Sequence, residues 1–306
     1  MTNVAVIGMG TMGPGMVATM MRAGMSLRCI DISADARNSS IDRINVARTV
    51  LDALDMPDKS TGEAALITDD LNECVEGADL VIETIPEVLE LKLELLRELD
   101  GMVSAECVLA SDTSGIPITK MQDGISNPGR VIGMHWSNPP HIIPMIEVVG
   151  GEKTDAAVVE WMSDTVRNLN LIPVVVKKDV PGFVENRVLY AVMREAVDLV
   201  EQGVIAPEDL DTCVSWGIGY KLAVVGPMAL LDMAGLDIYQ AVGSYLNKEL
   251  CNRKDVGSFI TERTVKGKLG LKTGGGVYSY TPEKIKELQS ARAKSLVAVR
   301  KAIEAT

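Results

Sequence analysis

The sequence predicts an α/β protein in which a doubly wound parallel sheet is followed by a smaller all-helical C-terminal domain. Over roughly the first 180 residues, short β-branched runs alternate with helical stretches, as expected for a parallel sheet covered on both faces. From Asn186 onward the strand-like runs give way to helical patterns. A chain of 306 residues has room for about two domains. Their boundary is read at Lys177-Lys-Asp-Val-Pro-Gly-Phe183, where a Pro-Gly pair breaks the chain, giving domains 1–180 and 181–306.

Strands are expected at 4–7, 26–31, 79–83, 107–111, 130–135 and 173–176, each a short apolar or β-branched run. Between the first two, Met12, Met16 and Met20 recur at i, i+4 spacing and Gly24 supplies a stop, so a helix with a core-facing stripe is expected. In the second half a long helix is read at 185–202, ended by Gly203. Another starts at Pro207, with Glu208 and Asp209 in its first turn where acidic groups favour the helix dipole. After the glycine-rich loop 268–276, residues 282–304 read as one polar-faced terminal helix.

Composition narrows the function. The net charge of −12 disfavours nucleic acid, whose binding needs a basic face. It also gives no general attraction for an anionic ligand, which must then be held by locally placed cations. No apolar run approaches the roughly 18 residues of a membrane span, and the start of the chain lacks the basic region of a signal peptide, so a cytoplasmic protein is expected. The five cysteines, Cys29, Cys74, Cys107, Cys213 and Cys251, are scattered and form no Cys-x-x-Cys. They are read as buried small apolar residues rather than disulfides or zinc ligands.

Gly8-Met-Gly10-Thr-Met12-Gly13 follows the first strand and opens the first helix, the setting in which Gly-x-Gly-x-x-Gly signals a Rossmann-type dinucleotide site. Gly8 allows the tight turn, Gly10 lets backbone approach the pyrophosphate, and Gly13 lets helix and strand pack closely. Met12 lies inside this loop and is counted with the cofactor-binding residues. Asp31, at the end of the second strand, is placed to accept hydrogen bonds from the adenosine ribose and to repel a 2′-phosphate, which favours NAD over NADP.

The only two histidines, His135 and His141, share one segment, Met134-His-Trp-Ser-Asn-Pro-Pro-His-Ile-Ile-Pro-Met-Ile-Glu147. Imidazole can take and return a proton near neutrality, and a dehydrogenase needs such a base for the hydroxyl proton as hydride leaves the carbon. Metal binding by His135, His141 and Glu147 is disfavoured, because their proline-broken spacing is unlike the helical His pairs of zinc enzymes. No metal is expected.

Four segments resemble the 3-hydroxyacyl-CoA dehydrogenase family over almost the whole chain: His135-Trp-Ser-Asn-Pro139 with Glu147 twelve residues after the histidine, Thr113-Ser114, Pro181-Gly-Phe-Val-Glu-Asn186-Arg187, and Glu83-Thr-Ile-Pro-Glu87 with Lys92. The resemblance implies an NAD-binding domain, a helical domain that forms a homodimer, and a small-molecule substrate. It implies that His135 is the base, that Glu147 orients it, and that Ser114 and Asn186 hydrogen-bond the reacting oxygen. It further implies that Glu87 and Lys92 lie near the nicotinamide ribose. The family also includes a crystallin, so a structural protein is the reading of another class. Joint presence of Gly8, Gly10, Gly13, Asp31, Ser114, His135, Glu147 and Asn186 argues for an enzyme.

Two departures bear on the substrate. CoA-binding members of the family carry lysines after the second strand, whereas residues 34–78 here hold only Arg37, Arg43, Arg48 and Lys59 among ten carboxylates. The usual Asn before Thr-Ser is Asp112, and the segment after the base reads Trp-Ser-Asn-Pro-Pro. A small carboxylated substrate is therefore expected, with a short-chain 3-hydroxyacyl-CoA as the alternative.

Overall fold

In the computed structural model, which describes residues 2–305, strand β1 (Asn3–Ile7) is buried from Val4 onward. Parallel to it lie β2 (Ser26–Ile30) and β4 (Leu80–Glu83), one on each side. The sheet continues through β3 (Leu66–Thr68) beyond β2, and through β5 (Val108–Ser111) and β6 (Val131–Trp136) beyond β4. Every residue of β4, β5 and β6 is buried. A strand covered on both faces is apolar at successive rather than alternate positions, which is why these segments read as continuous runs.

The connecting helices are α1 (Gly13–Arg22), α2 (Ala34–Ala53), α3 (Leu71–Val75), α4 (Leu89–Met102), α5 (Ile118–Met121) and α6 (Ala156–Asn168). Met16 and Met20 of α1 are fully buried, as their spacing predicts. Ser33 caps α2 by accepting from the Ala36 amide.

The sheet is parallel, as expected from sequence, except at one pairing near its edge. Strand β7 (Met145–Gly150) runs antiparallel to β6, and β8 (Ile172–Val176) pairs parallel with β7. Only residues 137–144 join β6 to β7, fewer than the dozen or more that a parallel crossover needs. The order is β3-β2-β1-β4-β5-β6-β7-β8.

The chain divides into two units, Met1–Asn186 and Arg187–Thr306. Helix α7 (Glu185–Glu201) begins at the end of the first. The second also contains α8 (Pro207–Cys213), a π-helical turn (Val214–Gly219), α9 (Tyr220–Leu222), α10 (Pro227–Ala234), α11 (Leu236–Glu249), α12 (Ser258–Val265) and α13 (Pro282–Glu304). Among its described residues only Gly257 and Arg300 are buried. Among the described residues of the chain no single helix is long and apolar enough to cross a membrane. Cys29, Cys74 and Cys107 are buried, and burial pushes the Cys74 thiol up to about 12. Cys213 is exposed and Cys251 half-buried, so the expectation of five buried cysteines fails for those two.

Candidate active site

The cofactor loop is built as its glycines require. Gly8 has φ of 111°, and a side chain there would meet the Thr84 carbonyl oxygen at 2.6 Å. A Cβ on Gly13 would collide with the Gly8 carbonyl oxygen, whereas Gly10 faces open space, leaving its backbone approachable. Met12 is the residue that precedes the first turn of α1, where unpaired helix amides and the dipole favour an anion. Just beyond β2, Asp31 accepts the Met9 amide through Oδ2 at 2.7 Å and the Ser33 amide through Oδ1 at 2.8 Å. Arg43 of α2 donates to the carbonyls of Met9 and Gly10. The glycine cradle, the helix terminus and the carboxylate fit NAD.

His135 and Glu147 are directly opposed across the antiparallel pair β6 and β7. Their side chains meet at 2.8 Å between Nδ1 and Oε2, with both residues buried. A carboxylate at Nδ1 fixes the ring tautomer with its proton there and leaves Nε2 as the basic nitrogen. Burial alone lowers the imidazole pKa, but the Glu147 hydrogen bond and the charges of Asp112, Glu147 and Glu185 outweigh it and hold the value above the usual one. Burial likewise pushes Glu147 up, and its hydrogen bonds from His135 and from two backbone amides bring it below the ordinary range. Those amides, of Val184 at 2.9 Å and Glu185 at 3.1 Å, both donate to Oε1. Glu147 thus holds the imidazole with one oxygen and the start of α7 with the other.

The turn that leads into α7 is strained where it touches the base. Gly182 has φ of 78° and Phe183 φ of 46°, and a positive φ at a bulky residue costs on the order of 1–3 kcal/mol. Phe183 is fully buried, with its ring 5.8 Å from that of His135. Asn186, in the first turn of α7, donates from Nδ2 to the Ser114 carbonyl at 2.6 Å. Glu87 accepts the Thr113 hydroxyl at 2.7 Å and the amides of Ser114 and Gly115 at 3.0 and 3.1 Å. Beneath them Lys92 is buried, with its ammonium 2.8 and 2.9 Å from the Glu83 oxygens and 3.2 Å from the Ile85 carbonyl. All three of its donors are engaged inside the protein.

Four other residues have placements that the motif reading did not assign. Asp112 is buried and accepts the Trp136 amide at 2.8 Å and the Thr84 hydroxyl at 3.1 Å; burial raises its pKa to about 7. Trp136 is itself a core residue. Glu185 reaches into the catalytic group: one ring nitrogen of His135 and one carboxylate oxygen each of Glu147 and Glu185 lie within 4.8 Å of one another. The Glu185 signal was present in the sequence as the residue before Asn186, but an acidic residue opening a helix is also an ordinary dipole contact. His141 packs on the first turn of α1, where a Cβ on Gly15 would sit 2.7 Å from its Nδ1. Burial keeps its pKa below the usual value.

The family profile described as the 3-hydroxyacyl-CoA dehydrogenase NAD binding domain matches residues 3–180, and that of the C-terminal domain matches 182–280. The chain belongs to the 3-hydroxyacyl-CoA dehydrogenase family. It is an NAD-dependent dehydrogenase of that family. A family member from Mesorhizobium japonicum, 5-formyl-3-hydroxy-2-methylpyridine 4-carboxylate 5-dehydrogenase, is 58% identical over 99% of this chain and 98% of its own. A crystal structure of a 5-formyl-3-hydroxy-2-methylpyridine 4-carboxylic acid 5-dehydrogenase, described as an NAD+ dependent dismutase, superposes with a TM-score of 0.96 at 57% identity, covering 99% of both chains. More distant is a probable 3-hydroxybutyryl-CoA dehydrogenase of Bacillus subtilis, 34% identical over 91% of this chain and 97% of its own.

Proposed function

We propose that this dehydrogenase oxidises 5-formyl-3-hydroxy-2-methylpyridine-4-carboxylate to the dicarboxylate, a step of vitamin B6 degradation, in the cytoplasm. The observation that carries the substrate is the 58% identity to the Mesorhizobium japonicum enzyme, sustained through both domains. The competing substrate, a short-chain 3-hydroxyacyl-CoA, finds little to hold its phosphates. Of the four cations in 34–78, Arg37 donates to the Asp31 and Ile32 carbonyls and Arg43 to those of Met9 and Gly10.

Bound NAD supplies the hydride acceptor. His135 takes the proton of one hydroxyl of the hydrated aldehyde, and Glu147 steadies the imidazolium that forms. Ser114 and Asn186 hydrogen-bond the reacting oxygen, and Asn186 also fixes the Ser114 turn from its side chain. Asp31 selects NAD. Glu87 and Lys92 act from behind the nicotinamide side of the site, Glu87 through the 113–115 turn and Lys92 through Glu83. The helical unit forms a homodimer, because a face carrying Val188, Leu189, Tyr190 and Met193 on α7 is exposed in the single chain and larger apolar patches of this kind mark interfaces. The test is NAD reduction with the pyridine aldehyde, 3-hydroxybutyryl-CoA and simple hydroxy acids under one condition. The highest kcat/KM is expected for the aldehyde, and a clear advantage for the thioester would overturn the assignment.

A further inference from the structure

Glu185 has an oxygen that the chemistry so far leaves unused. Its Oε1 accepts the Ser137 hydroxyl. Its Oε2 is buried and has no hydrogen-bond partner among the described residues. A buried carboxylate oxygen without a donor is costly, and Ser137, itself buried, holds the group in place. One oxygen of this carboxylate lies within 4.8 Å of a ring nitrogen of His135 and of a Glu147 oxygen. The two oxygens of Glu147 are already occupied by His135 and by two amides, so Glu185 brings the one carboxylate oxygen of the cluster without a donor among the described residues.

We infer that Glu185 Oε2 accepts the second hydroxyl of the hydrated aldehyde, and so makes this site one for a geminal diol rather than for a simple alcohol. The inference rests on the substrate proposed above. Two hydroxyls on one carbon, each hydrogen-bonded at roughly 2.7–2.8 Å, require two acceptors only a few ångströms apart. In this proposal His135 and Glu185 supply the two, a ring nitrogen of one lying within 4.8 Å of a carboxylate oxygen of the other. In the oxidation, the C–H bond breaks and its electron pair leaves as hydride, while the first O–H proton goes to His135 and that oxygen closes the C=O bond. The second hydroxyl stays on carbon and becomes the acid O–H, whose proton is then lost as the carboxylate forms. As hydride departs, this hydroxyl changes from alcohol-like to acid-like. Its hydrogen bond to Glu185 therefore strengthens towards the transition state, which is the kind of contact that raises kcat. Reduction of the unhydrated aldehyde has no second hydroxyl and makes no use of the contact.

The experiment is to compare Glu185→Gln with wild type in both directions, aldehyde oxidation by NAD and aldehyde reduction by NADH. Each direction is read on the pH-independent plateau of its own profile, so that the charge Glu185 lends to His135 does not enter. A drop of about 10-fold or more in oxidation and a clearly smaller loss in reduction are then expected from loss of one charged hydrogen bond. Carbon-13 NMR of the labelled aldehyde carbon, bound without cofactor, gives a second readout: wild type enriches the hydrate and E185Q does not. Equal losses in both directions with unchanged hydrate enrichment would overturn the inference while leaving the substrate assignment intact. No aldehyde turnover by wild type in either direction would remove both. Ser137→Ala, which frees the carboxylate without deleting it, covers the case in which E185Q fails to fold. It should lower the oxidation-to-reduction ratio in the same direction by less, and an unchanged ratio would count against the inference.

Discussion

His135, the proposed base, sits in surroundings that would by themselves disfavour its charge, and Glu147 with the neighbouring carboxylates reverses that balance. His135→Gln should lower turnover by at least about 10²-fold, with NAD affinity little changed; turnover within a few-fold of wild type would remove its assigned role. Glu147→Gln keeps the base but loses the charge that raises its pKa. Oxidation needs neutral imidazole, so its rate climbs as pH passes upward through the His135 pKa, and in E147Q that limb should move to lower pH. A pH profile of kcat/KM reads the shift. Asp112 gives an opposite kind of handle. Its folded-state pKa of about 7 lies above the ordinary 3.8, so between those pH values the folded chain holds a proton that the unfolded chain has released. Stability therefore declines as pH rises from about 4 to 7 and is level above. Asp112→Asn has no such charge, and its gain in Tm over wild type should be larger at pH 8 than at pH 5. A gain independent of pH would contradict the buried-acid account.

At the level of elements, the loop after β1 and the end of β2 are joined through Asp31, whose two oxygens are taken by the Met9 and Ser33 amides. A 2′-phosphate would meet this carboxylate, and like charges placed together cost several kcal/mol, so kcat/KM with NAD should exceed that with NADP by about 10²-fold or more. Equal efficiencies would contradict the role. Asp31→Ala should weaken NAD binding without conferring NADP use, since it also releases the loop. The parallel core was legible in the sequence because doubly covered strands are continuous apolar runs. Strand β3 was not, being three residues long. Strand β7 was concealed by its content: Met145-Ile-Glu-Val-Val-Gly150 reads first as a segment around a functional glutamate. The twelve-residue spacing of His135 and Glu147 becomes intelligible only once the strands are paired, because it places the two residues opposite each other across a hairpin. Lys92 was singled out only by the family resemblance, and its burial against Glu83 depends on the fold. Glu185 was hidden for a similar reason, since nothing local distinguishes an acid aimed at a base from one serving the helix dipole.

For the molecule as a whole, the two units differ in how they are held together. The first has a continuous core running through the sheet and its helices, with Leu99, Leu109, Met121 and Phe183 all fully buried. The second has only Gly257 and Arg300 buried between 187 and 305, too little for a helical domain to be stable alone. In the proposed homodimer, the exposed apolar side chains of α7 are covered by a second copy. Leu189→Asp combined with Met193→Asp should convert the dimer to a monomer in analytical ultracentrifugation and lower Tm; a dimer that persists would place the contact elsewhere. In the proposed homodimer, a protomer with so little interior in one half would not own its stability, because association would supply part of it by mass action. Its Tm should then depend on how much protein is in the tube, with each tenfold dilution weakening the assembled state by about 1.4 kcal/mol.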